Sequence, residues 1–515
     1  MPARQPERHP EESPRMTASR PAFLHLSPAD TVGIALRALP SGEEALGVTL
    51  RADVPLGHKF AVVAMPAGTA VVKYGQVMGV ATADIAPGDH VHSHNCAMSD
   101  SHSNRADAKG TLHAAPGRQT FQGYLRPDGR VGTRNYIGIM ASVNCSSTVC
   151  NAIAEAANRT LLPRFPGIDG FAPIVHDQGC GMASAGEGFD ALVRVLKGYR
   201  DHPNFGGVLI VGLGCEVNQL TLYKRTDWTE ERIGIFNIQD VGGSASAVRR
   251  ALELLEPICA AADQDRRSEQ PVSKLVLGMQ CGGSDGFSGI TANPALGVAS
   301  DMLVAAGGTS ILSETPEIYG AEHLLIARAD AETGRRIEGM IDWWRDYAAK
   351  NGASLDNNPS PGNKRGGLTT ILEKSLGAVA KGGLSPLAGA FAYAEPIRIP
   401  GLVYMDSPGY DPVAATGQVA SGANLIAFTT GRGSCFGAKP APSIKLASNS
   451  DLARRMPEDM DIDCGVVVEE GVSLEEMGRR IYDLLLDTAS GKRSKSEEFG
   501  YGDNEFVPWK IGATL

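Results

Sequence analysis

The chain has 515 residues, of which 43% are apolar and 21% are charged, and its formal net charge is −10. This composition is typical of a globular protein with two or three domains, and the negative charge argues against binding to nucleic-acid phosphates. No run of about 18 apolar residues is present, which argues against a membrane span, and residues 1–20 lack the apolar core of a secretion signal. We therefore expect a cytoplasmic protein with a disordered tail over residues 1–20.

Residues 21–96 predict a small all-β domain. Short β-rich runs separated by glycine and proline turns lie at residues 31–36, 48–50, 59–64, 70–74 and 76–80. This pattern is typical of a small barrel or β-clip. Near its end, alternation along a strand would place His90, His92 and His94 on one face. Residues 97–119, rich in Ser, His, Ala, Gly and Asp, predict a linker.

Beyond this linker, apolar strand candidates alternate with helical patterns, which predicts an α/β fold with parallel sheets. The strand candidates lie at residues 136–141, 207–213, 274–278, 308–312, 401–405 and 424–428. The polar stretch 261–271 is either a boundary between lobes or only a surface loop. We expect two α/β lobes, residues 120–265 and residues 272–515, the second of them Rossmann-like.

Each of these strands is followed by a polar turn. The turns begin at Asn144, Gly212, Gln280, Ser313, Asp406 and Thr429. Because ligands of parallel sheets bind outside the carboxyl ends of the strands, these turns predict one composite pocket for a small polar ligand. Residues 279–287 are the most informative, since a thiol, a hydroxyl and a carboxylate follow one another there in a glycine-rich turn.

Nine cysteines are spread along the chain without Cys-x-x-Cys spacing, which favours a reducing compartment over a disulfide scaffold. Cys150 and Cys259 lie in apolar helical patterns and are expected to be small core residues. Cys180, Cys215 and Cys281 are flanked by glycine, and we expect a functional role for these three.

Cations in Gly/Pro/Ser loops are suited to binding carboxylate or phosphate, although each one alone is equally well explained as a solvated surface charge. They are Arg130, Arg134, Lys364, Arg365, Arg432, Lys439 and Lys445. Acids and histidines that suit metal binding or proton transfer are Asp177, Glu216, Asp285, Glu314, Glu317, Glu322, His176 and His323. A phosphate-loop motif is missing, and Gly212-Leu-Gly214 lacks the third glycine of a dinucleotide fingerprint, so ATP and nicotinamide chemistry are disfavoured.

Several ordered motifs resemble the altronate/galactarate dehydratase family. Two of them are His176-Asp-Gln-Gly-Cys-Gly181 and the run from Cys281-Gly-Gly-Ser-Asp285 to Pro294. The others lie at residues 123–135, 211–219, 313–323, 358–363, 406–413, 431–434 and 439–442. The resemblance covers residues 21–515, and its β-rich front end is similar to the SAF-type β-clip module of that family. One departure lies in Leu26-Ser-Pro-Ala-Asp30-Thr31, where relatives more often have Asp-Asn.

The resemblance implies a hydro-lyase that removes water from a sugar acid and depends on a divalent metal, Fe(II) first and Mn(II) second. It places D-altronate, converted to 2-dehydro-3-deoxy-D-gluconate, first among the substrates, with galactarate second and sulfolactate as a further alternative. The expected partner is therefore a small-molecule sugar acid, and a homo-oligomer, most simply a dimer, is expected. The developing enediolate would need a metal or several donors, a base and an acid.

Roles for individual residues are predicted as follows. The catalytic candidates are His176, His323, Cys281 and Asp285. The substrate-binding candidates are Arg134, Asn144, Ser284, Lys364, Arg432 and Lys439. The metal-ligand candidates are His25, His58, His92, His94 and Cys180, with a polar face of the small barrel as the alternative explanation of the histidines.

Two other functions are compatible with the residues. A non-catalytic sugar-acid sensor would bind the ligand without metal or product. An iron-sulfur dehydratase would use Cys180, Cys215 and Cys281 as cluster ligands.

Overall fold

The computed structural model describes residues 21–98, 110–111, 116–225 and 231–512. The predicted tail and most of the predicted linker lie outside these residues. The described part contains a small β module and two lobes, each built on a parallel sheet, so the expected fold class is confirmed. No described helix is long and apolar enough to cross a bilayer.

The module consists of nine short strands. They are β1 (Phe23–Leu24), β2 (Val32–Ala35), β3 (Glu44–Ala45), β4 (Val48–Thr49), β5 (Lys59–Ala61), β6 (Ala70–Lys73), β7 (Gln76–Ala81), β8 (His90–Val91) and β9 (Cys96–Ala97). Antiparallel pairing gives the sheets β1-β2-β5-β8 and β6-β7-β9 and the hairpin β3-β4. Phe60 and Met78 are fully buried in the two small cores between them.

The predicted histidine strand is shorter than expected. β8 ends at Val91, and residues 92–95 form a turn in which the amides of Asn95 and Cys96 both donate to the carbonyl of His92 (3.0 and 2.9 Å). The Asn95 side chain also accepts a hydrogen bond from the His92 amide (3.0 Å). A turn, and not strand alternation, therefore positions the imidazoles.

Lobe 1 lies between two strands of one antiparallel ribbon. Its elements are β10 (Thr120–Leu125), β11 (Val131–Gly132), β12 (Tyr136–Ala141), α1 (Asn144–Thr160), β13 (Gly170–Ile174), α2 (Glu187–Arg200), β14 (Phe205–Gly212), β15 (Ile233–Asn237), α3 (Ser244–Ala262) and β16 (Ser268–Pro271). β10 pairs with both β11 and β16, while β13-β12-β14-β15 form a parallel sheet. Part of the polar stretch 261–271 is thus a paired strand.

Lobe 2 contains a seven-stranded parallel sheet in the order β19-β20-β18-β17-β21-β22-β23. Its elements are β17 (Val276–Cys281), α4 (Ala292–Ala305), β18 (Thr309–Leu312), α5 (His323–Ile326), α6 (Ala331–Lys350), α7 (Pro361–Arg365), α8 (Ile371–Val379), β19 (Leu387–Phe391), β20 (Gly401–Met405), α9 (Asp411–Ser421), β21 (Leu425–Thr430), β22 (Ser443–Ala447), α10 (Ser450–Arg455), β23 (Ile462–Asp463), α11 (Val466–Glu469), α12 (Leu474–Ala489) and α13 (Lys495–Glu498). Short 3-10 turns lie at Leu162–Arg164, Leu220–Tyr223, Val272–Lys274, Thr315–Glu317, Leu355–Asn357 and Ala380–Gly382.

In each parallel sheet the strand order changes direction beside the strand of that sheet that comes first in the chain. In lobe 2 the reversal falls between β17 and β21, and in lobe 1 it falls between β12 and β14. Helices leave opposite faces of the sheet at such a switch point, which opens a crevice at the carboxyl ends of the two strands. The polar turns after these four strands are therefore expected to border ligand sites.

Strand β17 runs three residues further than the sequence pattern predicted. Met279, Gln280 and Cys281 pair with β21 and are buried. Cys281 is therefore the last residue of a buried strand, and the glycine-rich turn begins only after it.

The module is attached to lobe 2 by a buried three-residue ionic contact. The Thr370 hydroxyl accepts from the Glu373 amide (3.1 Å) and caps α8, which places Glu373 in the first turn of that helix. The Glu373 carboxylate lies 2.9 Å from Lys59 Nζ and 2.8 Å from Lys73 Nζ, and all three side chains are fully buried. Although burial alone would raise it, the two ammonium groups lower the pKa of Glu373 to about 2.

We expect Glu373→Ala to destabilise the folded chain by about 3–5 kcal/mol, because it leaves two buried lysines without a counter-charge. Urea unfolding followed by tryptophan fluorescence measures this. The matched control is Glu476→Ala, which removes an exposed carboxylate that also contacts two cations, Arg479 and Arg480. The control should cost at most about 1 kcal/mol, and equal losses in the two variants would contradict the assigned role.

Candidate active site

A buried group of ionisable side chains lies at the carboxyl ends of β17 and β18, beside the switch point of lobe 2. We call it the acid-thiol cluster, and its members are Cys281, Glu314, Glu317, Lys374 and Lys381. Cys281 ends β17, whereas the two glutamates follow β18 and the two lysines come from α8 and the turn after it. Three separate segments of lobe 2 therefore contribute to it.

Short contacts connect the cluster. Lys381 Nζ lies 3.0 Å from Cys281 Sγ and 3.5 Å from Glu314 Oε2. Lys374 Nζ lies 2.6 Å from Glu317 Oε1. The thiol is 3.9 Å from Glu314 Oε2 and 3.7 Å from Glu317 Oε2, so both carboxylates face the sulfur.

Glu314 has a strained backbone and an unsatisfied side chain. Its φ is 74°, in the left-handed region that residues with a side chain rarely adopt, and its amide donates to the Ser407 hydroxyl (3.0 Å). The Oε1 atom is buried and has no hydrogen-bond partner among the described residues. Backbone strain and an orphaned buried oxygen in one residue are typical of a functional position.

The protonation states in the cluster follow from burial. Burial raises the pKa of Glu314 well above its usual value, with the Glu317 charge acting in the same direction. Burial also raises the pKa of the Cys281 thiol to about 12. Burial alone would lower the pKa of Lys381, but its neighbours Cys281 and Glu314 raise it. The cluster therefore holds protons that a bound cation could displace.

Cys281, Glu314 and Glu317 fit a divalent metal. One ligand atom from each lies within 4.8 Å of the other two, and no other group of three His, Cys, Asp or Glu residues in the described part does so. A thiolate with two carboxylates suits Fe, Mn or Zn better than Ca or Mg, and Glu314 Oε1 is the orphaned atom that a cation would satisfy. The expectation of a metal site is consistent with this geometry.

Asp411, at the start of α9, extends the cluster toward the glycine turn. A Cβ atom added to Gly282 would lie 2.2 Å from Asp411 Oδ2, so only glycine leaves room for this carboxylate. Burial raises the pKa of Asp411 to about 7, and the Glu317 charge adds to the shift. A carboxyl that titrates near neutrality is suited to proton transfer.

Asp285 holds the glycine turn in place. Its Oδ1 accepts from the amide and hydroxyl of Ser288 (both 2.9 Å) and from the Ser448 hydroxyl (2.8 Å), and its Oδ2 accepts from Asn449 (2.9 Å). Gly431 passes so closely that an added Cβ would lie 2.1 Å from the Asp285 carboxyl carbon. These contacts support a positioning role for the predicted catalytic Asp285.

The module places a histidine cluster, formed by His58, His90, His92 and His94, against lobe 2. The ring centroid of His58 lies 5.2 Å from that of His90 and 4.9 Å from that of His92. His92 Nε2 lies 2.9 Å from the Lys364 carbonyl oxygen. Burial lowers the pKa of His58 to about 4 and that of His90 to about 3, with neighbouring imidazoles contributing, so both rings are neutral at pH 7.

The predicted metal ligands are only partly brought together. His58, His92 and His94 lie in the histidine cluster together with His90, which was not predicted as a metal ligand. His25 instead contacts the Asp30 carbonyl oxygen (3.0 Å), and Cys180 belongs to lobe 1. The histidine ligand set stays a prediction.

The predicted substrate-binding cations fall into two groups. Arg134 is buried and its guanidinium contacts Glu497 (2.6 Å), while Lys439 contacts Asp503 (2.7 Å). Among the described residues, Lys364 and Arg432 form no salt bridge. Arg432 is exposed next to the glycine turn, since an added Cβ on Gly283 would lie 3.3 Å from Arg432 Cβ. Lys364 and Arg432 thus remain available for an anion.

The other predicted residues lie further apart. His176 is buried in lobe 1, with Nε2 3.0 Å from the Ala141 carbonyl oxygen and Nδ1 accepting from the Gln178 amide. Asn144 donates to the His176 carbonyl (3.3 Å). His323 begins α5, and Ser284 is buried in the glycine turn.

Sequence reasoning did not select Lys374, Lys381 or Asp411. Lysines in a helical pattern normally face solvent, and the sequence carries no sign that two of them are buried. The clearest available signal was the Ser313-Glu-Thr-Pro-Glu317 turn, whose acids were noted but given no role.

Three family models match successive parts of the chain. The altronate/galactarate dehydratase SAF domain matches residues 21–99. The second domain of D-galactarate dehydratase/altronate hydrolase matches residues 123–263, and the C-terminal domain of D-galactarate/altronate dehydratase matches residues 272–514.

Curated relatives match over nearly their whole length. Altronate dehydratase of Bacillus subtilis (strain 168) is 35% identical over 507 residues, covering 96% of this chain and 100% of the relative. Altronate dehydratase of Escherichia coli (strain K12) has the same identity and coverage. Galactarate dehydratase (L-threo-forming) of Escherichia coli (strain K12) is 36% identical over 499 residues, covering 93% and 95%.

The chain belongs to the D-galactarate/altronate dehydratase family. The resemblance seen in its motifs is confirmed, and with it the expected enzyme class, a sugar-acid hydro-lyase with an SAF-type module. The glycine turn, the acid-thiol cluster and the histidine cluster of this dehydratase all lie within the matched segments.

The raised pKa of Asp411 predicts a pH dependence of stability. Between its unfolded value of 3.8 and its folded value of about 7, the folded chain holds a proton that the unfolded chain has lost. The free energy of unfolding of the metal-free protein should therefore fall as pH rises through this range, by up to about 4 kcal/mol.

Asp411→Asn should remove this dependence. The free energy of unfolding of the variant should therefore change less than that of the natural chain between about pH 5 and about pH 8. Urea unfolding at both pH values measures the difference. Asp342→Asn, at an exposed position, is the control and should follow the natural chain. Parallel pH profiles for all three proteins would contradict the assigned environment of Asp411.

Proposed function

We propose that this dehydratase removes water from D-altronate and releases 2-dehydro-3-deoxy-D-gluconate. The observation that carries the proposal is the acid-thiol cluster at the switch point of lobe 2, with unpaired cations beside the adjacent glycine turn. The two altronate dehydratases that match along their whole length support the choice of substrate.

The substrate carboxylate would bind Arg432 and Lys364. Both are free of salt bridges in the described part of the chain, and an unpaired cation at a pocket rim gains a strong, charge-assisted hydrogen bond from a carboxylate. Ser284, buried in the glycine turn, would bind a substrate hydroxyl. A sugar acid offers both groups, which supports this class of ligand.

The metal would be held by Cys281, Glu314 and Glu317. Fe(II) is proposed first and Mn(II) second, since a donor set of one thiolate and two carboxylates suits either ion. When bound, such an ion supplies Lewis-acid stabilisation of negative charge on substrate oxygens.

Proton transfer is assigned to the chain's own residues. Asp411, whose pKa is raised to about 7 by burial and by Glu317, can hold the proton that the departing hydroxyl requires. Lys381 stays charged and can stabilise negative charge that develops nearby. His323 is retained as the base, because it follows the turn that carries Glu314 and Glu317, whereas both ring nitrogens of His176 are engaged by backbone groups.

Galactarate is the second candidate, supported by the relative named galactarate dehydratase at 36% identity. Its second carboxylate would need a further cation, and Arg365 is exposed beside Lys364 without a salt bridge among the described residues. Altronate and galactarate should therefore be compared in the same assay.

An anaerobic assay across hexonates and hexarates with added Fe(II) or Mn(II) tests the function, with formation of a 2-keto-3-deoxy acid as the readout. We expect the highest kcat/KM with altronate. Arg432→Ala should lower that value about 10- to 100-fold through KM, the cost of one charge-assisted contact. Arg480→Ala, an exposed arginine on α12, should have no effect. If no acid in the panel yields product, the proposed function is wrong.

Metal analysis distinguishes the two proposed ligand sets. The double variant Glu314→Gln/Glu317→Gln should lower the affinity for Mn(II) by at least about tenfold, because it removes two anionic ligands while keeping side-chain size. The variant His92→Ala/His94→Ala should keep its affinity. Titration of metal-free protein followed by electron paramagnetic resonance measures both, and the opposite result would assign the metal to the histidine cluster.

A further inference from the structure

Lobe 1 contains three cysteines at neighbouring strand ends, and the proposed function does not use them. Cys145, Cys180 and Cys215 each follow a different strand of the parallel sheet, β12, β13 and β14 respectively. These three strands are neighbours in the order β13-β12-β14. All three thiols are free and exposed. We call them the cysteine triad.

Hydrogen bonds hold the three cysteine-bearing loops together. The Asn144 amide donates to the Gln178 carbonyl (2.9 Å), which joins the first loop to the second. The Asn218 amide donates to the Gly179 carbonyl (3.1 Å), which joins the third loop to the second. The Asn218 side chain donates to the Ser142 carbonyl (2.8 Å) and closes the triangle. Each loop is thus fixed by the other two.

The turn that carries Cys215 is braced from within. The buried Glu216 carboxylate accepts from the Gly214 amide (2.6 Å) and from the Ser142 hydroxyl (2.7 Å). Gly179 adopts φ +98°, and an added Cβ there would lie 2.5 Å from the Ser142 carbonyl oxygen. A larger residue would therefore separate the loops. Gln239 Nε2 lies 3.6 Å from the Cys215 sulfur, a contact of the kind that stabilises a thiolate.

The triad also lies at a switch point. Cys145 and Cys215 follow β12 and β14, between which the strand order of lobe 1 reverses. Crevices at this position are where parallel sheets bind ligands, and the three exposed thiols lie at this end of the sheet.

The ligand type and the minimum width of the triad bear on the kind of centre that it could hold. One tetrahedral ion with metal–sulfur bonds of about 2.3 Å needs its thiolates about 3.8 Å apart. In a four-iron cubane each thiolate binds a separate iron, which spreads the sulfurs to roughly 6–7 Å. Among the described residues, the triad does not form a group with all ligand atoms within 4.8 Å, whereas Cys281, Glu314 and Glu317 do. The triad is therefore wider than a single tetrahedral ion requires, and thiolates are the protein ligands of iron–sulfur clusters.

We propose that Cys145, Cys180 and Cys215 ligate a [4Fe–4S] cluster at the switch point of lobe 1. Three protein ligands leave the fourth iron without one, and an oxygen of a small hydroxy acid is the class of ligand that it would take. Cys281 is excluded from this ligand set because its sulfur is buried in lobe 2 against Lys381. The proposed ligand set differs from the one considered from the sequence in having Cys145 in place of Cys281.

Anaerobic purification of the full chain, followed by reconstitution with ferrous iron and sulfide, tests the proposal. The natural chain should carry about four iron and four acid-labile sulfide, with the broad visible absorption of a cluster. Cys145→Ser, Cys180→Ser and Cys215→Ser should each lose most of the sulfide. Cys435→Ser, which alters an exposed cysteine of lobe 2, should keep all of it.

Absence of acid-labile sulfide from the reconstituted natural chain would overturn the proposal, as would equal sulfide in all four variants. Because the three thiols are exposed, their replacement leaves the core intact, and circular dichroism checks this. A mononuclear metal at the acid-thiol cluster contributes no sulfide. The proposal can therefore fail while the proposed dehydratase function stands, and the reverse also holds.

Discussion

The position of the β module, and with it the position of the histidine cluster, depends on one buried carboxylate. Glu373 neutralises Lys59 and Lys73 where no water reaches them, and these lysines belong to the module whereas Glu373 belongs to lobe 2. Within the described part of the chain these two ammonium groups form salt bridges with Glu373 alone, so moving the module away from lobe 2 would leave both charges unbalanced. That position brings the histidine cluster against the carbonyl groups of Lys364 and Arg365 at the end of α7. The residue that follows α7, Gly366, accepts a hydrogen bond from Gly286 of the glycine turn.

The acid-thiol cluster follows the same principle, that charges buried away from water need opposite charges beside them. Here the positive charges come from Lys374 and Lys381 and the negative ones from Glu317 and, once deprotonated, from Glu314 and Cys281. Without a cation the thiol and Glu314 keep their protons, and one carboxylate oxygen stays unsatisfied. A divalent ion would exchange those protons for its own charge without adding a large net charge to the interior. The metal-free cluster in lobe 2 thus has a strained backbone at Glu314 and protonated ligand atoms, and a bound cation would displace these protons.

Sequence patterns predicted the layers of the fold but not the connections that build the site. Buried strands such as β12 and β20 were found because their apolar runs are continuous, whereas β13, with Pro173, and β19, made largely of small residues, carry no such signal. The glycine turn and the exposed Arg432 were identified, because a turn at a strand end can be recognised from a short stretch of sequence. The roles of Lys374, Lys381 and Glu373 were not, because burial of a charged side chain is set by partners distant in sequence. The grouping of Cys145 with Cys180 and Cys215 likewise required the strand order.

The ribbon that flanks lobe 1 constrains the order of folding. Residues 123 and 268 are paired partners in β10 and β16, and the chain between them makes the whole of lobe 1. Closing a disordered loop of about 145 residues costs about 4 kcal/mol in chain entropy, more than a four-residue ribbon returns on its own. Once lobe 1 has folded, its two ends already lie side by side and most of that cost disappears. Lobe 1 is therefore a kinetic prerequisite of the ribbon, and a mutation that slows its folding should delay the joining of the two lobes.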